Sequence, residues 1–189
     1  MHTTLISVKE LQNLQTSKAD YLVFDCTFDL SNRDAGNQQY AEQHIVGALR
    51  ADMETHLSTH NDAERANGGR HPLPKPEVFA TWLRSMGVND NTQVVVYDRN
   101  GVNYCGRMWW MLKWCGHAAV AVLDGGLQAW NAAGGAVLSS EKEECVCVCV
   151  CVCARARACV RACVRAPVRL CVYGSMGLWV SLSLSLSLS

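Results

Sequence analysis

The chain carries no net charge: seventeen Lys and Arg balance seventeen Asp and Glu over 189 residues. That balance gives no electrostatic case for a nucleic-acid or membrane partner. Leader signals are lacking too. Met1-His-Thr-Thr-Leu-Ile-Ser-Val-Lys-Glu10 has no basic patch followed by an apolar core, and no Arg occurs before Arg33. Neither a secretory signal nor a mitochondrial transit peptide is expected. Cysteine is sparse where a core could form, with only Cys26, Cys105 and Cys115 before residue 139. Three scattered thiols make no disulfide framework, and a segment of that size needs none. These absences predict a reducing, cytoplasmic setting, with a mitochondrial one left open.

The neutral total averages two unlike segments. Residues 1–138 hold eleven basic and fourteen acidic side chains, whereas 139–189 hold six and three. The other eight cysteines lie between Cys145 and Cys171. Here Val-Cys repeats through Cys153, Ala-Arg follows, and Ser-Leu repeats from Ser181 to Ser189. Each dipeptide is what a dinucleotide repeat encodes: GTG-TGT, GCG-CGC, TCT-CTC. The expectation is a low-complexity tail of translated repeat DNA. Alternating thiols would suit a soft metal, but no His and no loop spacing accompany them, so no metal site is expected. Leu170 to Ser189 carries no charge over twenty residues, yet six are Ser, which makes a poor membrane span.

Residues 1–138 alternate short β-type runs with helical patterns, the mark of an α/β domain with a mainly parallel sheet flanked by helices. Ser7-Val-Lys-Glu10 is a capping box that opens a helix to about Leu14. Tyr21-Leu-Val-Phe-Asp25, Gln93-Val-Val-Val-Tyr97 and Ala119-Val-Ala-Val-Leu123 are apolar enough to be strands covered on both faces. Asn37 is expected to cap a helix over Gln38–Gln43, and Ala48 to Ala51 to form a short strand. Pro76 should start a helix that Gly87 stops. A further helix is expected from Tyr104 to Cys115, and a last one around Trp130.

Ligands of parallel sheets bind beyond the carboxyl ends of strands, which draws attention to the loop Asp98, Arg99, Asn100, Gly101, Val102, Asn103. A strand-loop-helix turn of this kind gathers backbone N–H groups into an anion cradle. A nucleophile placed there would be activated. Asp98, however, is a poor acceptor for sulfur and can fill the cradle with its own charge, capping the loop and the helix start.

Tyr40-Ala-Glu-Gln-His44-Ile-Val-Gly-Ala48 resembles the His-Ile-Pro-Gly-Ala signature of the rhodanese family, with Val46 in place of Pro. Gly69-Arg-His-Pro-Leu-Pro74, Val94-Val-Val-Tyr-Asp98, Arg107-Met-Trp-Trp-Met111 and Leu123-Asp-Gly-Gly126 followed by Trp130 extend the likeness over about residues 4–135. The set is similar to the amino-terminal domain of two-domain thiosulfate and 3-mercaptopyruvate sulfurtransferases. The resemblance implies a rhodanese-like fold and sulfane-sulfur transfer through a persulfide on a loop cysteine. It also implies that this copy is the non-catalytic one, with Asp98 at the nucleophile's place and the sulfur-carrying half absent. No catalytic residue is then expected, nor any cofactor, metal or nucleic acid.

Cys105 begins the helix after the loop, where the helix dipole could favour a thiolate, but packing suits it better. Cys26 and Cys115 read as small buried groups, and His44 as a structural hydrogen-bonding residue. By resemblance Arg70 and His71 lie near a substrate cleft and would meet a sulfur-donor anion if a catalytic domain were supplied. Trp109, Trp110 and Trp114 suit packing, or docking to such a domain.

Overall fold

A computed structural model describes residues 1–17 and 19–139. The expectations for the repeat tail, its thiols and its membrane span fall on residues outside that description.

The elements run β1 (Leu5–Ile6), α1 (Val8–Thr16), β2 (Tyr21–Asp25), α2 (Ala35–Glu42), β3 (His44–Ile45), β4 (Leu49–Arg50), α3 (Pro76–Ser85), β5 (Gln93–Tyr97), α4 (Cys105–Trp114), β6 (Val120–Leu123), α5 (Gly126–Ala132) and β7 (Val137–Leu138). The expected capping box closes at α1: Ser7 Oγ accepts from the Glu10 amide, and Glu10 Oε2 accepts from the Ser7 amide at 2.8 Å. Pro76 sits in the first turn of α3, and Gly87 follows that helix at φ 91°.

Helix α2 departs from expectation. It begins at Ala35 with Asp34 at its N-cap, so Asn37 lies inside it and caps nothing. The Asn37 side chain instead accepts from Arg50 Nε at 3.0 Å. Gly36 lets the first turn of α2 pack closely on the chain after β2: a Cβ there would lie 2.4 Å from the Thr27 carbonyl oxygen. The two-residue strands β1, β3 and β7 carried too short a pattern to be read.

Five strands form one parallel sheet in the order β1-β6-β5-β2-β4, while β3 and β7 pair antiparallel beside it. All five residues of the central β5 are buried. Val94 and Val96 join Phe24, Val120 and Val122 on the face covered by α3 and α4, against Phe79, Leu83, Met108, Met111 and Leu112. Val95 and Tyr97 turn the other way, with Val23, Ala121 and Leu123, against Leu11, Leu127 and Trp130 of α1 and α5. Each such aliphatic side chain contributes roughly 1.5–3 kcal/mol by leaving water. A strand used on both faces has no polar alternation, which is why β5 is continuously apolar.

Register sets the site. Asp25 pairs with Tyr97, so β2 and β5 end level and Asp98 emerges at the carboxyl edge of the sheet. Among the described residues no helix is long and apolar enough to cross a membrane.

Candidate functional site

Asp98 is 2% exposed, and both carboxylate oxygens are committed to backbone amides. Oδ1 accepts from Asn100 at 2.9 Å and Val102 at 3.0 Å; Oδ2 accepts from Tyr104 at 2.8 Å and Cys105 at 3.0 Å. The loop bends through two left-handed residues, Gly101 at φ 73° and Val102 at φ 72°. Glycine adopts that conformation freely, whereas it costs a branched residue such as Val102 about 1–2 kcal/mol. The last two amides belong to the start of α4, whose own N-cap side chain makes no cap bond. Asp98 therefore caps the helix from six residues upstream and neutralises its positive end.

The other side of the loop is pinned as well. The Asp98 carbonyl accepts from Leu127 at 3.3 Å and lies so close to α5 that a Cβ on Gly126 would be 2.3 Å away. The Arg99 guanidinium donates to the Gln39 and Gln43 carbonyls at the C-terminal end of α2, where a cation meets the negative end of the helix. Gln128 Nε2 donates to the Arg99 carbonyl at 3.1 Å. Asn100, Gly101 and Asn103 face solvent. The result is an anion cradle closed around the protein's own carboxylate and tied to three helices.

Cys105 lends its amide to that cradle, but its thiol is buried. Burial pushes the thiol far up, and the Asp98 carboxylate adds to the shift. These effects outweigh the helix N-terminus, so the thiolate the helix start would favour is suppressed. Cys26 is likewise raised well up, by burial first and then by Cys105 and Asp25; its Sγ lies 3.6 Å from Met108 Sδ. Cys115 is only partly buried, a departure from the sequence reading.

The His44 segment is tied to α2 and to the end of β5. His44 Nδ1 meets the Tyr40 carbonyl at 2.7 Å, and the two rings stack at 4.1 Å. Tyr97, level with Asp25, accepts from the Ile45 amide at 3.1 Å through its phenolic oxygen. Burial pushes that phenol far above its usual range, assisted by the Asp25 carboxylate.

Arg70 and His71 are not brought onto Asp98. Arg70 is exposed and donates to the Leu30 carbonyl at 2.9 Å. His71 Nε2 meets Glu54 Oε1 at 3.1 Å, and Glu54 also faces Arg33 at 3.4 Å and His60 at 3.5 Å. Phe28 bridges the two regions, edge-on to His71 at 5.6 Å and to Tyr104 at 5.4 Å. Arg107 holds the Leu57 and His71 carbonyls, and burial lowers its guanidinium. Sequence reasoning missed Glu54, the Arg107 clamp and the Arg99 clamp. Their partners lie as far as 60 residues away, and no local pattern encodes them.

The chain matches the rhodanese-like domain family over residues 7–133. It is 43% identical over 126 residues to "Probable 3-mercaptopyruvate sulfurtransferase" of Pseudomonas aeruginosa, covering 66% of this chain and 44% of that protein. It is 37% identical over 129 residues to thiosulfate/3-mercaptopyruvate sulfurtransferase 2 of Arabidopsis thaliana, covering 68% of this chain and 36% of that one. Among solved structures, the 3-mercaptopyruvate sulfurtransferase from Leishmania major aligns with a TM-score of 0.63 at 33% identity, over 76% of this chain and 38% of its own. The chain thus spans less than half the length of these relatives. The likeness of the His44 and Asp98 segments, the parallel sheet they build and the extent of the match agree: this chain belongs to the rhodanese-like domain family.

Proposed function

We propose that residues 1–138 form the non-catalytic half of a thiosulfate/3-mercaptopyruvate-type sulfurtransferase, which works by docking against a domain that carries the sulfur. Sulfane transfer needs a thiolate that attacks the outer sulfur of the donor while its leaving group departs with the electron pair. The observation that carries the reading is the Asp98 carboxylate, which occupies all four converging amides where such a thiolate would sit. A carboxylate is a poor sulfur acceptor, and the thiol next in line, Cys105, is buried and shifted away from ionisation. The donor anion, a catalytic rhodanese domain as partner and a cytoplasmic setting all belong to this reading, as does a separate tail over 139–189.

Two exposed aromatics favour docking. Trp110 and Trp114 are 45% and 39% exposed and stack at 5.5 Å on the outer side of α4. Large aromatics left in water are the usual anchors of an interface. Binding of a free small anion in the loop is the weaker alternative, since Asp98 already fills the cradle.

The test has two arms. The purified chain is incubated with thiosulfate and cyanide, then with 3-mercaptopyruvate and a thiol acceptor. Turnover no greater than that of free cysteine is expected; a clearly higher rate, abolished in Cys105→Ser, overturns the non-catalytic reading. The chain is then mixed with a separately produced catalytic rhodanese domain. Co-elution is expected, and separate elution of the two sinks the docking reading.

A further inference from the structure

The sequence contains two Asn-Gly pairs, Asn67-Gly68 and Asn100-Gly101, and both lie in exposed loops. Glycine leaves the following amide nitrogen sterically open. That nitrogen can attack the asparagine side-chain carbonyl carbon, form a five-membered succinimide and expel ammonia. Water then opens the ring at either carbonyl and leaves aspartate or isoaspartate. The atoms balance with water as the one co-reactant, and no oxidant or catalyst is needed.

The two pairs differ in how tightly the asparagine is held. Asn67 Oδ1 accepts from the Leu73 amide at 2.8 Å, within a turn that the Arg65–Pro74 bridge closes. Among the described residues the Asn100 side chain has no hydrogen bond, and neither has the Gly101 amide. Only the Asn100 backbone is engaged, its amide by Asp98 Oδ1 and its carbonyl by Asn103 Nδ2 at 2.7 Å. The Asn67 side chain is restrained by its bond, whereas the Asn100 side chain is free to turn toward the Gly101 nitrogen.

We infer that Asn100 is a selective site of spontaneous deamidation, and that its conversion loosens the loop around Asp98. Both Asp98 Oδ1 bonds straddle the Asn100–Gly101 link, to the amides of Asn100 and Val102. Isoaspartate inserts one extra carbon into the backbone between those two donors, so they no longer converge on a single oxygen. It also sets a second carboxylate beside the first. The two Oδ2 bonds to Tyr104 and Cys105 lie beyond the altered link and persist. The reaction is irreversible under these conditions and acts as a slow molecular clock on this loop.

The experiment uses the full chain, aged at mildly alkaline pH in heavy-oxygen water and digested for peptide mass mapping. A parallel sample is aged in urea, where both pairs react. In the folded chain Asn100 is expected to convert about tenfold faster than Asn67, equivalent to ~1.4 kcal/mol in barrier. Label should be incorporated in both aspartate and isoaspartate forms. Asn100→Gln should abolish the reaction in this loop and leave Asn67 unchanged. Equal rates at the two sites in the folded chain overturn the inference. So does an Asn100 that folding protects, relative to urea, as strongly as it protects Asn67.

Discussion

The carboxylate of Asp98 accepts the backbone N–H of Cys105 at 3.0 Å and at the same time opposes ionisation of the Cys105 thiol. One residue thus uses its neighbour's amide and disables its sulfur. Four backbone donors that could stabilise an anion at the end of β5 are spent on this side chain.

The first prediction follows from those four bonds. Hydrogen bonds to a charged group contribute about 1.5–3 kcal/mol each and are not additive. Asp98→Ala should therefore lower unfolding free energy by about 2–4 kcal/mol in urea denaturation. Asp98→Asn keeps one accepting oxygen, turns an NH2 toward two amide donors, and should fall between wild type and Ala. An Asp98→Ala chain as stable as wild type would show that the loop is held from elsewhere.

Thiol reactivity gives the second. Burial raises all three of the described thiols, but Cys26 and Cys105 are buried whereas Cys115 is only partly so. Mild iodoacetamide treatment of the folded chain, read by peptide mapping, should label Cys115 and spare the other two until urea is added. Labelling of Cys105 at the rate of Cys115 would contradict the arrangement.

Gly126 gives the third. It has φ 55°, and an added Cβ would sit 2.3 Å from the Asp98 carbonyl oxygen. Gly126→Ala must push the loop away from α5 and should cost about 2–4 kcal/mol. Gly101→Ala meets open space and bears only the left-handed penalty, about 1 kcal/mol. Comparing the two by thermal denaturation separates close approach from backbone conformation; equal losses would deny the close approach.

His56 supplies a pH dependence. Burial lowers its imidazole below the ordinary 6.5, and the nearby Asp52 opposes that only in part. Its Nδ1 accepts from the Asp52 amide at 3.0 Å, and its ring stacks on Trp82 at 5.0 Å. The folded state therefore favours neutral His56, and the unfolded chain binds the proton more readily. The contribution is fully present above pH 6.5 and is lost as pH falls below it. His56→Gln should flatten the stability profile between neutral and mildly acidic pH. An unchanged slope in urea titrations across that range would refute the assignment.

Much of this was legible in the sequence because it is local. The three covered strands announce themselves by unbroken β-branched and apolar runs, and α1 by the reciprocal Ser7 and Glu10 pattern. The loop from Asp98 to Asn103 could be placed because a strand, a glycine and a helix follow one another directly. Asn37 misled because an Asn before a helical pattern is a sound cap locally, and nothing nearby reports that Arg50 claims its side chain.

What the chain determined alone was the order of elements, the acidic residue at the end of β5 and the absence of a thiol there, all properties of consecutive residues. What only the tertiary structure decided was how that residue is used. Four amides converge on Asp98 because Gly101 and Val102 turn left-handed together, Arg99 reaches the end of α2, and Gly126 lets α5 approach the Asp98 carbonyl. Those contacts join segments up to 60 residues apart. Chain folding brings them together, and no stretch of sequence short enough to carry a periodic pattern contains both partners.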